Sequence, residues 1–356
     1  MIPVTKAYLP NKDTYHDYVE GIFHRGWLTN KGQLVKELES RLQNYLGVKH
    51  LIVVANGTLA LQLAYKALEL KGEIITTPFS FVATTSTLVW EGLKPVFVDI
   101  DPATFNIDPT KIAAKITTNT SALVPVHVFG NPCEVEQIQD IAKKNNLKVI
   151  YDGAHAFDTQ YQGQSVLNYG DISTLSFHAT KLFHSTEGGA IITNDDELAG
   201  KIRLMMNFGI ASATQINAMG INAKMNEFEA AMGLCVLDEI EHIKDSRAKI
   251  WRLYRQALTK KTLIFQRWHK KSKNNHAYAP ILFNSESELL RVEAQLKKNH
   301  IFPRRYFYPS LDTLDYLGHE QVCKHSRDIA SRILCLPLFT GLTKQQQDKI
   351  IACIVS

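Results

Sequence analysis

Short apolar runs with strand character alternate with helix-forming stretches through the first 150 residues, and this alternation constrains the fold more than any other feature. Residues 32–46 place Leu34, Leu38, Leu42 and Leu46 four apart, the repeat of one helical face, and Gly47 follows as a stop signal. The same reading predicts strands over 50–55, 73–77, 95–99, 122–127 and 148–151, with helices over 58–70, 80–91, 109–116 and 134–145 between them. Strands joined through helices pair in parallel, and ligand sites then lie at the carboxyl ends of the strands. Two more β-capable runs, 172–177 and 190–193, flank a polar loop, and a long helix is predicted from 227 to 246 or beyond.

Past about residue 245 the pattern changes to a helix, then a strand over 277–283, a helix over 287–299 and strand-like pieces near Ile301 and Ile333. A chain of 356 residues is long for a single core, so the expected division is a large α/β domain over 1–240 and a smaller C-terminal α/β domain over 241–356. No apolar run approaches the roughly 20 residues of a membrane span, and the first residues lack the apolar core of a signal peptide. A cytoplasmic protein without a membrane partner is expected. The five cysteines are scattered with no Cys-x-x-Cys pair, which predicts reduced thiols and no metal site. Net charge is +5, and the densest basic run, 269–273, is too short and too poor in aromatics to bind nucleic acid.

The loop between the two β-capable runs carries Lys181 among hydroxyls, histidines and a Gly-Gly pair. A lysine acts as a nucleophile only when part of it is neutral, which a desolvated setting achieves; a solvated loop lysine is the ordinary alternative. Asn56-Gly57-Thr58 ends a strand and opens a helix, so its free amides and the Thr58 hydroxyl suit a phosphate, although the same triplet makes an ordinary helix cap. Phe81 follows another strand and suits stacking on a flat ring or packing in the core. Asp152 ends the strand at 148–151, where a carboxylate can partner a pyridinium nitrogen or simply cap a turn. His155 lies three residues further on.

In this order the segments resemble the fold type I pyridoxal-phosphate aminotransferases, and more narrowly the DegT/DnrJ/StrS family of nucleotide-sugar aminotransferases. The likeness runs nearly end to end through Gly26-Trp-Leu-Thr-Asn-Lys-Gly32, Asn56-Gly-Thr58, Pro78-Phe-Ser-Phe81, Pro125-Val-His-Val-Phe-Gly130 and Asp152-Gly-Ala-His155. It continues through Ser176-Phe-His-Ala-Thr-Lys181, Glu187-Gly-Gly189, Gly220-Ile-Asn-Ala-Lys-Met225 and Leu336-Pro-Leu338. The resemblance implies a large domain built on a mostly parallel seven-stranded sheet flanked by helices, with a smaller C-terminal domain, and pyridoxal 5'-phosphate as cofactor.

It makes Lys181 the lysine that bonds the cofactor and Asp152 the partner of its ring nitrogen. Gly57, Thr58, the amide of Leu59 and Ser176 match phosphate binders, and Phe81 matches the stacking aromatic. Asn222 matches an asparagine that reaches the neighbouring subunit's cofactor, which implies a homodimer with shared sites. His155 stands where glutamine is commoner, beside the cofactor, and Lys224 replaces a frequent arginine. His178 would face the substrate side of Lys181. Thr29, Asn30, Lys31, His184, Arg304, Arg305 and Tyr306 are the candidates for contacts with the substrate.

Ser176-Phe-His178 with Glu187-Gly-Gly189 resembles the members that aminate carbon 4, with dTDP-4-keto-6-deoxyglucose as acceptor and L-glutamate as donor, for O-antigen or other surface-polysaccharide synthesis. The alternatives are amination at carbon 3, the galacto epimer, a GDP or UDP sugar, or a non-catalytic regulator that binds the cofactor.

Overall fold

The computed structural model describes residues 1–259, 263–317 and 321–355. Among them the largest sheet has seven strands, in the order His50–Val54, Gly189–Thr193, Ile172–Ser176, Lys148–Asp152, Thr120–Val124, Glu73–Thr76 and Lys94–Phe97. Gly189–Thr193 runs antiparallel to both neighbours, and every other pairing inside the sheet is parallel. Six strands therefore share one direction, and the reversed strand begins where they end.

Near-continuous apolar strands are what a sheet covered on both faces requires. Alternate residues go to opposite sides. Leu51, Val53, Ile75, Leu123, Val149 and Leu175 enter one core with the helices Gln33–Leu46, Val135–Asn145 and Glu227–Asp238. Ile52, Val54, Ile74, Val124, Ile150 and Ile191 enter the other with Gly57–Ala67 and Asp196–Met205. The Leu34–Leu46 stripe is buried as its spacing predicts, and Gly47 ends that helix in a left-handed conformation at φ 63°.

A third cluster gathers Ile250, Tyr254, Ile281, Leu289, Leu334 and Ile350 together with Ile2 from the far end of the chain. Ile2 arrives there because Ile2–Pro3 pairs in parallel with Ile301–Phe302. A fourth, aromatic cluster joins this unit to the main sheet through Phe79, Phe105, Phe129 and Phe307.

Two predicted helical stretches differ from the sequence reading, and four helices among the described residues come in addition. Residues 109–116 form two 3₁₀ turns, Pro109–Lys111 and Ala113–Lys115, and Asp108 binds the Thr110 amide and hydroxyl at the first of them. The predicted long helix is two, Glu227–Asp238 and Ile240–Leu258, broken at Glu239, whose carboxylate binds Tyr8 Oη and the Asn11 amide. Helices Lys12–Arg25, Asp196–Met205, Lys324–Arg332 and Lys344–Val355 come in addition to those predicted. Among the described residues no helix is long and apolar enough to cross a membrane.

Candidate active site

The carboxyl ends of the co-directional strands and the start of Gly189–Thr193 converge on a cavity of about 280 Å³. The turn after His50–Val54 supplies Gly57 and Thr58 to its wall. Two glycines make this close approach possible. A Cβ on Gly57 would meet Ser176 Cβ at 2.9 Å, and one on Gly189 would meet the Asn56 carbonyl carbon at 2.6 Å. The Leu59 amide, expected to face an anion, instead donates to Asn56 Oδ1 at 2.9 Å, so this helix start is capped by its own side chain. Gly57, Thr58 and Ser176 remain at the cavity wall.

Asp152 is buried in the cavity wall. Its backbone is tied on one side by Asp152 N to Pro125 O and His127 N to Asp152 O. Its carboxylate accepts from Thr84 Oγ1 at 2.7 Å and from Ala154 N at 3.0 Å, and Ser80 Oγ lies 2.6 Å behind Thr84. Capping of the local turn and a charged group held in a cavity therefore coexist at this residue. Phe81 lines the same cavity and is 48% exposed, so it is not a core residue of this chain.

Lys181 follows a turn in which its own amide donates to His178 O, and the side chain enters the cavity. Burial lowers its pKa from the ordinary lysine value, with neighbouring Asp152 acting in the opposite sense. Nζ donates to Tyr278 Oη at 3.4 Å, a contact that nothing in the local sequence announces. His155 is buried, and burial, followed by the charge of Lys181, holds its pKa well below the ordinary value. The ring is thus neutral. Its Nδ1 accepts the Phe129 amide at 3.2 Å, which places the proton on Nε2.

At the outer side His178 Nδ1 pairs with Thr180 Oγ1 at 2.7 Å, and Nε2 lies 3.6 Å from Glu187. Arg304 and Tyr306 line the cavity, with the guanidinium 4.6 Å above the Tyr306 ring. Their neighbour Arg305 does not join them: it is held by Glu286 at 2.6 Å and Ser331 O at 2.5 Å. His184 is also absent from the cavity wall. It is buried, with Nε2 on Tyr8 O at 2.8 Å and Nδ1 accepting Thr186 N at 3.3 Å, so its ring tethers the N-terminal segment.

Within one chain the predicted Thr29–Lys31 contacts do not meet Lys181. Asn30 and Lys31 line a different cavity, of about 130 Å³, with Arg203, Asn207 and Lys224, while Thr29 is exposed. Lys224 there lies 4.9 Å over the Phe208 ring. Asn222 is exposed and bridges to Asn207. The loop before helix Gln33–Leu46 is fastened by a residue the sequence reading missed. Glu227, fully buried, accepts the Leu34 and Val35 amides at 3.0 Å each, and its own amide donates to Leu28 O. It supplies the cap that Gly32 lacks.

A model of the DegT/DnrJ/EryC1/StrS aminotransferase family matches residues 11–355. The chain is 46% identical to a dTDP-4-amino-4,6-dideoxy-D-glucose transaminase of Shigella dysenteriae, over 99% of this chain and 97% of that one. It is 42% identical to a transaminase of the same name from Escherichia coli, over 98% and 96% of the two chains. Among solved structures, that of DesI in the presence of its TDP-sugar product superposes with a TM-score of 0.94 at 34% identity, covering 99% of this chain and 92% of that one. Lys181, Asp152 and the helix start at Gly57 thus stand together in a chain matched almost end to end, and the chain belongs to the DegT/DnrJ/EryC1/StrS family of aminotransferases.

Proposed function

We propose that this cavity transfers an amino group from L-glutamate to carbon 4 of dTDP-4-keto-6-deoxy-D-glucose, giving dTDP-4-amino-4,6-dideoxy-D-glucose for a cytoplasmic route to O-antigen or a related surface polysaccharide. The observation that carries this reading is the shared cavity of Lys181, Asp152, Thr58 and Phe81 in a chain 46% identical to a transaminase of that product. The family depends on pyridoxal phosphate, and the donor set fits it: a desolvated amine, a buried carboxylate, an exposed aromatic face and a helix start beside glycines.

When bound, pyridoxal 5'-phosphate supplies an electron sink that makes a proton on the carbon next to nitrogen removable. Lys181 Nζ is the point of covalent attachment and the base that takes that proton, and burial favours the neutral amine this needs. Asp152 holds a positive charge on the ring nitrogen, with Thr84 and Ala154 fixing the carboxylate. Phe81 offers the flat apolar face. Gly57, Thr58 and Ser176 take the phosphate at the positive end of helix Gly57–Ala67. His155, with its proton on Nε2, would donate to an oxygen of the cofactor ring. His178, oriented by Thr180 and Glu187, faces the sugar, and Arg304 with Tyr306 meets the charged diphosphate.

Incubating enzyme, glutamate, cofactor and dTDP-4-keto-6-deoxyglucose is expected to give a 4-amino sugar with an equatorial nitrogen, read from proton NMR couplings. An axial amine would assign the galacto epimer, and turnover confined to a 3-keto isomer or to a GDP or UDP sugar would replace the proposed acceptor. Absence of turnover with every keto sugar, despite a loaded cofactor, would favour a regulator.

The site is proposed to be shared between two copies of the chain. Trp27, Leu28, Phe208, Ile216 and Met219 are large apolar side chains left exposed, and Asn222 and Lys31 lie in the same part of the chain as these residues. Exposed apolar area of this kind marks an interface. Mixing inactive Lys181→Ala with an inactive Asn222→Ala chain is expected to restore part of the activity, because one of the two sites in each heterodimer is then intact. Verified heterodimers without recovery would put both residues in one chain's site.

A further inference from the structure

Among the described residues the hydrogen-bond partner of Lys181 Nζ is Tyr278 Oη, at 3.4 Å. Three aromatic neighbours fix the Tyr278 ring. His155 and Tyr306 meet it edge-on at 4.8 Å and 5.8 Å, and Phe129 is tilted against it at 5.3 Å. A ring wedged in this way has little freedom to swing its hydroxyl off the lysine.

The backbone that delivers Tyr278 is clamped from two directions. Arg247, on helix Ile240–Leu258, donates from Nε to His276 O at 3.1 Å and from Nη2 to Ala277 O at 2.6 Å. Asn275 donates to His155 O at 2.8 Å and Phe157 O at 3.0 Å and accepts the Ala277 amide, so the same segment is tied to the loop after Asp152. Arg247 is 4% exposed and has no carboxylate partner among the described residues. Burying a guanidinium against neutral carbonyls is costly, and burial lowers its pKa to about 10. A neutral side chain would tie a loop at less cost. The charge also reaches the Tyr278 hydroxyl, where Arg247 and Arg304 oppose the upward push of burial.

We propose that Tyr278 is a catalytic residue that holds Lys181 Nζ at the reacting position in both of its protonation states, and that Arg247 and Asn275 are positioning residues that hold Tyr278. The proposal rests on the role given to Lys181 under the proposed function. A phenol suits the task because it both donates and accepts. As an ammonium, Lys181 donates to Oη; as a neutral amine, its lone pair accepts a hydrogen bond from the Tyr278 O–H. Tyr278 keeps its own proton in both arrangements, so the only proton that moves is the one Lys181 takes up and gives back. The other titratable or charged groups around Lys181 are Asp152 at its strand end, His155 after it, Tyr306 and Arg304 from the 304–306 segment, and His178 and Glu187 from its own loop.

The test uses the cofactor-loaded dimer. Tyr278→Phe keeps the ring and removes both hydrogen bonds. Its kcat is expected to fall about 10- to 100-fold through misplacement of Lys181, with KM for both substrates little changed. The second readout is the pH profile of single turnovers with keto sugar, starting from enzyme charged with the amino group, where Lys181 is free to titrate. Its lysine limb is expected to move to lower pH, because the ammonium loses a charge-assisted bond and the neutral form is favoured. Arg247→Met is expected to shift kcat and the profile the same way, and Arg247→Lys, which keeps a donor, to recover part of both. Thermal midpoint and the visible band of bound cofactor certify folding and loading.

A loaded Tyr278→Phe enzyme with wild-type kcat and an unmoved profile would overturn the proposal, as would a change confined to KM. If reductive labelling of the wild-type enzyme fell on a lysine other than 181, the underlying reading would fail first, independently of the Tyr278 result.

Discussion

Replacing Asp152 with Asn is expected to lower kcat by about 100- to 10,000-fold, the range seen when a positioned proton is lost, while the thermal midpoint moves by only a few degrees. The two effects separate because the side chain has two attachments. Oδ1 accepts the Ala154 amide and Oδ2 accepts the Thr84 hydroxyl. Asn keeps an amide oxygen for one of these and forces the other to rearrange, which costs about 1 kcal/mol, as a lost cap does. What Asn cannot do is carry the negative charge that holds a proton on the cofactor's ring nitrogen. Steady-state kinetics beside thermal unfolding checks this. Near-normal turnover with lowered stability would make Asp152 a capping residue alone.

Lys181→Ala is expected to abolish turnover, a loss of about 1,000-fold or more, without destabilising the chain. The ammonium is desolvated in the cavity, which lowers its pKa, and the hydrogen bond to Tyr278 is a long one at 3.4 Å. Removing a buried cation with one weak partner relieves a desolvation penalty, so the thermal midpoint of the cofactor-free protein should hold or rise. Cofactor should still bind through Gly57, Thr58, Phe81 and Asp152, but dialyse away, since no covalent bond retains it. Turnover assays, calorimetry of the cofactor-free chain and dialysis of the loaded chain check the three statements separately. A marked fall in stability would mean that Lys181 serves the fold.

Much of the main sheet is legible because local pattern and burial agree there. Leu34, Leu38, Leu42 and Leu46 repeat at helical spacing and are buried, and Gly47 adopts the left-handed turn its position demands. Asp152 is legible because strand and turn signals meet at one residue. The misses are long-range. The break at Glu239 goes with bonds to Tyr8 and Asn11, more than 200 positions away, and Ile2 joins a core whose other members begin at Ile250. Arg304 and Arg305 are adjacent and chemically alike, yet the chain turns between Arg304 and Tyr306, and Arg304 lines the cavity while Arg305 is taken by Glu286 and Ser331 O. His184 reads as a loop histidine near Lys181 until its two ring nitrogens are found on Tyr8 and Thr186. Tyr278 sits in an apolar run whose composition speaks of packing, and its hydroxyl acquires meaning only from Lys181, 97 positions earlier.

The central claim is that Lys181 carries pyridoxal phosphate covalently in the cavity beside Asp152. Borohydride reduction of the loaded enzyme, followed by proteolysis and mass mapping, tests it most directly. The account predicts one reduced cofactor adduct per chain, on the peptide containing Lys181, and none in Lys181→Ala. An adduct on any other lysine, or a yellow, active enzyme that cannot be labelled at Lys181, would contradict it.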